Sequence, residues 1–234
     1  MIYVSFITKE QGELTHLHAQ AIKKIRPEAN ILYISKDPVK VASGARNIHG
    51  VDIESNGYNS LLNLLTALKI IFQNYDNEIC ITSVTSVLVG DIKAEYENHG
   101  VNFLGFMANN SLLPLKSLFV INQKTLEKIM HYLSKKEYWD LFGRNALEVL
   151  LGLAILVEEE INIKLFQCVH PKADSASFAY FNSGFYGDTE RLNSINICVE
   201  VDNMPYLAGY IQARLSLNEA IKRAMQHILH ARKK

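Results

Sequence analysis

The sequence predicts an α/β fold in which a mixed, mainly parallel sheet is flanked by helices. β-rich segments alternate with amphipathic helical segments through the first half of the 234 residues, a pattern typical of parallel sheets covered on both faces. The stretch ICITSVTSVLVGD, residues 79–91, has the apolar character of a buried strand. The chain is 48% hydrophobic and 21% charged, which is the composition of a globular protein rather than a disordered one.

The N-terminal segment predicts a strand, a helix and a second strand. Residues 2–7 are β-rich, and Gly12 follows them. Pro27 ends the helix, and the next strand covers residues 30–37 and ends in Asp37. A short strand is expected near Val51. The helix between the two strands places apolar residues at helical spacing: Leu14, Leu17, Ala21 and Ile25.

The next segment predicts a turn, a second helix and the strand that follows it. SNGY, residues 55–58, is the turn, and Asn59 or Ser60 can cap the helix. The helix leads into the strand predicted over residues 79–91. Its apolar face follows the i, i+3, i+4, i+7 pattern: Leu61, Leu64, Leu65, Leu68 and Ile71.

The second half is less regular, yet no linker divides it from the first. The patterns predict one domain over residues 1–234, in which residues 211–234 form a C-terminal helix. The remaining predicted strands cover residues 101–107, 117–122, 161–169 and 194–202. The remaining predicted helices cover residues 91–99, 123–136, 139–160 and 216–234, and a polar, aromatic loop covers residues 170–188.

Bulk properties exclude several classes of protein. The formal net charge is zero, so the whole molecule has no electrostatic bias towards nucleic acid or membranes. Three cysteines without a CxxC pair argue against a disulfide framework and a zinc site. They predict buried, reduced thiols and a cytoplasmic location. The sequence contains no GxGxxG, GxxxxGK[ST] or GxSxG motif, which removes the dinucleotide-binding, P-loop and serine-hydrolase interpretations.

The order of these segments resembles the first half of a GT-A type glycosyltransferase, the nucleotide-diphospho-sugar transferase fold. The resemblance covers roughly residues 1–170 and rests on DNEICITSVTSVLVGD, on SLFVINQKTLEKI and on WDLFGRNALEVLLGLAI. In that family an Asp-x-Asp motif follows the buried strand and precedes a Gly-Asp or Asn-Pro turn. When the segments are aligned on Gly90 and Asp91, the two Asp positions fall on Ser83 and Thr85.

The resemblance implies a nucleotide-sugar donor as partner, with residues 1–110 as the nucleotide-binding half and residues 111–210 as the acceptor half. The expected nucleotide-binding residues are Thr8, Lys9, Asp37, Asn59, Ser83 and Thr85. The family's two carboxylates hold Mg²⁺ or Mn²⁺, because hard cations take oxygen ligands. Neutral hydroxyls cannot replace them, so no divalent metal is expected as cofactor. Alternative roles remain for three of these residues: Asp37 as a turn residue, Lys9 as a solvated charge and Asn59 as a helix cap.

Other residues are assigned to the diphosphate, the acceptor and catalysis. Asp140 and Glu148 are the candidate catalytic acid or base, although Asp140 can serve the helix dipole and Glu148 can pair with Arg144. His170 and Lys172 are the candidate diphosphate-binding pair, or ordinary loop residues. The candidate acceptor-binding residues lie in FNSGFYGD, which can also be a structural turn: Asn182, Ser183, Gly184 and Tyr186.

The sequence leaves three functions open. The first is metal-independent sugar transfer, the second is a catalytically inactive GT-A-like binding or structural partner, and the third is nucleic-acid association through the C-terminal helix. From Arg214 onwards six Lys/Arg residues stand against Glu219 alone, so an anionic partner is conceivable there. The same helix is expected to dock by an apolar stripe: Leu217, Ile221, Ala224 and Ile228.

Overall fold

A computed structural model describes residues 1–53, 58–75, 78–88, 101–108, 111–134, 146–157, 198–200 and 217–231. The strands are β1 (Ile2–Phe6), β2 (Asn30–Ser35), β3 (Arg46–His49), β4 (Ile79–Thr82), β5 (Ser86–Leu88), β6 (Val101–Ala108), β7 (Ser111–Ile121) and β8 (Cys198–Glu200). The helices are α1 (Thr15–Ile25), α2 (Tyr58–Asn74), α3 (Gln123–Leu133), α4 (Ala146–Val157) and α5 (Leu217–Ala231), and a 3-10 helix, Lys9–Leu14, precedes α1.

The main sheet has six strands in the order β3-β2-β1-β4-β7-β6. β1 pairs in parallel with β2 and β4, β2 pairs in parallel with β3, and β7 is antiparallel to both β4 and β6. A separate two-stranded sheet joins β5 to β8. The predicted mixed, mainly parallel sheet flanked by helices is therefore confirmed.

One face of the sheet carries the apolar core beneath α2, α3 and α4. Successive strand residues point to opposite faces, so alternate Ile, Val and Leu residues reach this core. The strand residues of the core are Ile2, Val4, Leu32, Ile34, Ile79, Ile81 and Ile121. The helix residues packed on them include Leu64, Leu68, Ile129, Leu150 and Ala154. At about 1.5–3 kcal/mol for each large apolar side chain, this burial stabilises the fold.

The opposite face is more polar and lies against α1. The strand residues that alternate with the core residues here are Tyr3, Ser5, Tyr33, Ser35, Cys80 and Thr82, and all are buried. Cys80 forms no disulfide with any described residue, which confirms the prediction of a buried thiol for this cysteine. Buried hydroxyls need hydrogen-bond partners, and α1 supplies those of Tyr33 and Thr82.

The structure corrects several predicted boundaries. The single strand predicted over residues 79–91 is two strands in different sheets, β4 and β5, with a turn at residues 83–85. The short strand near Val51 lies earlier, at Arg46–His49. α2 begins at Tyr58, so Asn59 and Ser60 lie in its first turn and do not cap it. β7 begins at Ser111 rather than at residue 117.

The C-terminal helix α5 docks by an apolar face, as predicted, and its described buried residues include two that the predicted stripe did not contain, Met225 and Leu229. Ile221, Met225 and Leu229 are buried, a spacing of four residues that forms one face of the helix. Among the predicted stripe, Ile221 is confirmed, and the side chains of Leu217, Ala224 and Ile228 lie outside the described part. Among the described residues, no helix combines the length and apolar character needed to cross a bilayer.

Two glycines predict stability changes of opposite sign. Gly152 lies exposed inside α4, and an added Cβ would meet no described atom within 4 Å. Gly152→Ala should therefore raise the free energy of unfolding by about 0.5–1 kcal/mol, because alanine has the higher helix propensity.

Gly50 has a φ of +90°, a backbone conformation that alanine adopts only with strain, so Gly50→Ala should lower the free energy of unfolding by about 1–2 kcal/mol. Urea unfolding of both variants checks the pair, and a destabilised Gly152→Ala protein would contradict the exposed position.

Candidate functional site

The order of the parallel strands creates a topological switch point between the carboxyl ends of β1 and β4, and we call this position the β1–β4 crevice. From β1 the chain moves outwards to β2 and β3 and then returns to the other side of β1 as β4. Ligands of open α/β sheets bind at such a switch point, outside the carboxyl ends of the strands. The residues that follow these ends are Ile7, Thr8 and Lys9 after β1, and Ser83 after β4.

The turn after β4 is held by its own hydroxyl groups. Ser83 Oγ and Thr85 Oγ1 share a hydrogen bond of 2.6 Å, and Thr85 N–H donates to Ser83 Oγ at 3.3 Å. Ser86 Oγ donates to the Ser83 carbonyl at 2.7 Å. Thr85 is buried and Ser83 is half-buried. The two residues aligned with the family's carboxylates therefore contact each other and fix the chain reversal into β5.

A buried chain of hydrogen bonds supports the β1–β4 crevice from below. Ser5 Oγ lies 2.9 Å from Thr82 Oγ1, which lies 3.0 Å from His18 Nε2. His18 Nδ1 lies 3.0 Å from the Tyr33 hydroxyl, which donates to the Thr15 carbonyl at 3.0 Å. The chain links β1, β4, α1 and β2. One of its members, Thr82, lies one residue before the turn at Ser83.

The donor and the acceptor of each hydrogen bond in this chain follow from the bond that Tyr33 donates to the Thr15 carbonyl. Since the Tyr33 proton is given to Thr15, the Tyr33 oxygen accepts from His18 Nδ1–H. His18 Nε2 is then the acceptor for the Thr82 hydroxyl, and Thr82 accepts from Ser5. This assignment requires a neutral imidazole, and burial lowers the pKa of His18 to about 3. Burial likewise raises the pKa of Tyr33. No motif in the sequence marks His18 as a buried residue.

The turn after β1 places Thr8 and Lys9 at the crevice. Thr8 precedes the 3-10 helix, and its N–H donates to Gln11 Oε1 at 3.0 Å. The Thr8 side chain bonds Glu10, and this hydrogen bond is the largest cause of the lowered pKa of Glu10, to which the Lys9 charge also contributes. Lys9 is exposed. Thr8 therefore orders the turn, and Lys9 presents a cation beside it.

The connection from β2 to β3 folds back onto the same edge of the sheet. Ser35 Oγ donates to the Asp37 carbonyl at 2.7 Å, while Asn47 Nδ2 donates to Ser35 Oγ at 2.8 Å. The Val39 N–H donates to Asn47 Oδ1 at 3.0 Å. Asp37 is exposed at the carboxyl end of β2. The structure thus places Asp37 on the same sheet edge as Thr8 and Ser83, with its backbone held and its side chain in solvent.

A cleft of about 710 Å³ opens beside this edge, and we call it the basic cleft. Its walls are the 3-10 helix with the start of α1, the β2–β3 connection and α5. The lining residues that carry charge are Lys9, Glu13, Lys40 and Lys222. Lys222 Nζ lies 3.3 Å from Glu13 Oε2, which ties α5 to the 3-10 helix. Ser83 and Thr85 do not line this cleft.

Gly12 lets two walls of the basic cleft approach each other. An added Cβ would lie 2.7 Å from Val39 Cγ1 and 3.3 Å from the Lys40 carbonyl oxygen. Gly12→Ala should lower the free energy of unfolding by about 1–3 kcal/mol through overpacking. The loss should shrink in a Val39→Ala background, because the nearest atom is removed. A double-mutant cycle in urea checks this coupling, and additive effects would show that Val39 and Gly12 do not meet.

Several predicted site residues fall beyond the described ranges. These are Asp140, His170, Lys172, Asn182, Ser183, Gly184 and Tyr186. Glu148 lies in α4, and its side chain is not described. Asn59 is exposed in the first turn of α2. Within the described ranges, no three His, Cys, Asp or Glu side chains cluster in a way that could hold a metal ion.

Comparison with known proteins shows the fold. A glycosyltransferase involved in glycosylation of the major capsid of PBCV-1 superposes with a TM-score of 0.54 at 9% identity, over 96% of this chain and 98% of that one. The glycosyltransferase GlyE of Streptococcus pneumoniae TIGR4 superposes with a TM-score of 0.52 at 8% identity, over 96% of this chain. The chain has the GT-A type fold. It spans 63% of the length of GlyE.

Sequence comparisons add no further relative of the GT-A-like chain. No protein-family model matches it, and no curated protein matches it significantly. Because the structural neighbours are under 10% identical, the likeness concerns the fold. Function must be argued from the residues at the site.

Proposed function

We propose that this GT-A-like protein binds a nucleotide-sugar donor at the β1–β4 crevice and transfers the sugar without a tightly bound divalent metal. The observation that carries the proposal is the position of two turns: the turn with Thr8 and Lys9 and the turn that begins at Ser83 follow neighbouring parallel strands, which the Ser5–Thr82 hydrogen bond joins. Ligands of this sheet class bind at that position. Two structural neighbours are described as glycosyltransferases, which supports the same class of reaction.

The proposed reaction forms a bond between an acceptor oxygen and the anomeric carbon of the sugar. The bond from that carbon to the diphosphate breaks, and its electron pair leaves with the nucleoside diphosphate. Asp140 or Glu148 accepts the acceptor proton. Negative charge grows on the leaving diphosphate, and cations placed there stabilise it. Lys9, His170 and Lys172 supply this charge in place of a metal, and the segment from Asn182 to Tyr186 contacts the acceptor.

A thermal-shift screen tests donor binding and metal independence together. UDP-, GDP-, CMP- and dTDP-sugars are each added with EDTA or with Mn²⁺, and the melting temperature is measured. One nucleotide class should raise it equally in both conditions, since a ligand that binds only the folded state stabilises that state. A shift that occurs only with Mn²⁺ would contradict metal independence. No shift with any donor would contradict donor binding.

The hydrogen bonds at Ser83 favour a second function, nucleotide binding without catalysis. Ser83 Oγ is engaged with both the hydroxyl and the N–H of Thr85, so these groups already serve the turn. A GT-A-like domain that acts only as a binding partner would need these groups for the turn and not for catalysis. Release of nucleoside diphosphate from the donor that gives the largest thermal shift separates the two. Slow release catalysed by the parent and lost in Asp140→Asn or Glu148→Gln supports the enzyme, and equal background in all three supports the binding partner.

A further inference from the structure

The basic cleft brings together cations from three distant parts of the chain. Lys9 comes from the 3-10 helix, Lys40 from the β2–β3 connection and Lys222 from α5. Glu13 is the one acidic residue among the described residues that line it, so three lysines against one glutamate give this described lining a net charge of plus two. Glu13 already pairs with Lys222 at 3.3 Å. Like charges gathered in a concave surface repel one another and raise the local concentration of anions.

The walls of the cleft are held in place before any ligand binds. Thr15 Oγ1 donates to the Gly12 carbonyl at 2.6 Å and accepts from the Ala42 N–H at 3.1 Å. The Val39 N–H donates to Asn47 Oδ1 at 3.0 Å. These bonds hold the β2–β3 connection on both sides of Lys40, because Val39 is bonded to β3 and Ala42 is bonded to the start of α1. A ligand therefore meets a preorganised wall, which lowers the entropic cost of binding.

The chemistry of the lining selects the ligand class. A lysine ammonium is a compact charge that binds phosphate oxygens well without a fixed geometry. A cleft of about 710 Å³ falls in the range of sites for small molecules. The apolar parts of the lysine side chains and Leu17, which also lines the cleft, can contact the uncharged part of a ligand that carries a phosphate. A phosphorylated small molecule matches both properties.

We propose that the basic cleft is a binding site for a phosphate-bearing small molecule, with Lys40 as its main cation besides Lys9. The site does not depend on sugar transfer. The phosphate can come from two sources. One is the diphosphate of the donor, because Lys9 both follows β1 and lines the basic cleft; the other is a separate phosphorylated compound. Both share the same chemistry, and the experiment separates them.

Titration calorimetry with pyrophosphate tests the site on the full chain. The parent should bind pyrophosphate with an affinity that falls as salt is added. Lys40→Gln should weaken it about tenfold or more, the scale of a lost charge-assisted hydrogen bond. Lys69→Gln is the matched control, because Lys69 is exposed on α2 away from the cleft. Lys40 is exposed, so an unchanged melting temperature of Lys40→Gln verifies its folding.

Each outcome of this titration either supports or overturns phosphate binding in the basic cleft. Pyrophosphate that binds the parent and Lys40→Gln equally, or binds neither, overturns the site. When the site stands, UDP identifies the source. UDP that competes with pyrophosphate and also loses affinity in Lys40→Gln indicates the donor diphosphate. UDP that neither competes with pyrophosphate nor loses affinity in Lys40→Gln indicates that the basic cleft binds a separate phosphorylated compound. Lys40-dependent pyrophosphate binding without any nucleotide binding would reject the proposed function while confirming the cleft.

Discussion

Replacing His18 with leucine is expected to lower the free energy of unfolding by about 2–5 kcal/mol. The imidazole is buried and bridges Thr82 and Tyr33 at 3.0 Å on each side. Leucine has similar bulk, yet it leaves the Thr82 proton without its acceptor and the Tyr33 oxygen without its donor. Each buried polar group left unpaired costs about 1–3 kcal/mol. Urea unfolding monitored by circular dichroism gives the loss directly.

Two companion variants show that the loss arises from the hydrogen bonds. His16→Leu, two residues earlier on the same helix and exposed, should change the free energy of unfolding by less than about 0.5 kcal/mol. Thr82→Val in the His18→Leu background removes the unpaired hydroxyl, so the double variant should be more stable than the sum of the single losses implies. A His18→Leu protein as stable as the parent would contradict the buried chain.

The same histidine predicts how stability depends on pH. Burial lowers the pKa of His18 to about 3, while the unfolded chain has the ordinary value near 6.5. Below about pH 6.5 the unfolded state binds the extra proton, so stability is fully present above that pH and falls as pH decreases towards 3. The contribution is about 1.4 kcal/mol per pH unit. The difference between parent and His18→Leu should shrink at this rate between pH 6 and 4, and a constant difference would contradict it.

Replacing Met225 with alanine is expected to lower the free energy of unfolding by about 2–5 kcal/mol. Met225 is fully buried at the centre of the docked face of α5, between Ile221 and Leu229. Alanine leaves a cavity that the packed neighbours fill only in part. The measurement is urea unfolding, with limited proteolysis of α5 as a second readout of its docking.

A nearby exposed residue provides the control for Met225. Arg223 pairs with Glu219 at 3.2 Å on the solvent side of α5, where ion pairs of this kind contribute about 0.3–0.5 kcal/mol. Arg223→Ala should therefore unfold almost as the parent does. If Met225→Ala were equally mild, α5 would be held by its ion pair with the 3-10 helix rather than by its apolar face.

The sheet was predictable because its signal is local. Strands such as IYVSF and ILYIS alternate with helices whose apolar residues recur at helical spacing, and both patterns depend only on neighbouring residues. The alternation of Ile2 and Val4 with Tyr3 and Ser5 even separates the two faces. The GT-A layout followed from the order of these segments.

The polar face and the break after β4 were not predictable in the same way. Ser5, His18, Tyr33 and Thr82 are buried because each finds a partner up to 77 residues away, and no local pattern encodes such pairs. Residues 79–88 carry Ile, Val or Thr on both sides of Ser83 and contain no glycine or proline, so no turn residue reveals that Ser83 and Thr85 bond each other and that β5 lies in another sheet. The cleft likewise depends on α5 meeting Glu13 across 209 residues.

Mapping of backbone amide chemical shifts shows whether a donor binds at the β1–β4 crevice without metal. The labelled protein is titrated with the nucleotide that gives the largest thermal shift, once in EDTA and once in EDTA-free buffer with diamagnetic Mg²⁺. The amides of Thr8, Lys9, Asp37, Ser83 and Thr85 should shift together and saturate with one dissociation constant, which Mg²⁺ should leave unchanged. Shifts confined to other parts of the chain, or shifts at these amides that require Mg²⁺, would contradict metal-independent binding at this crevice.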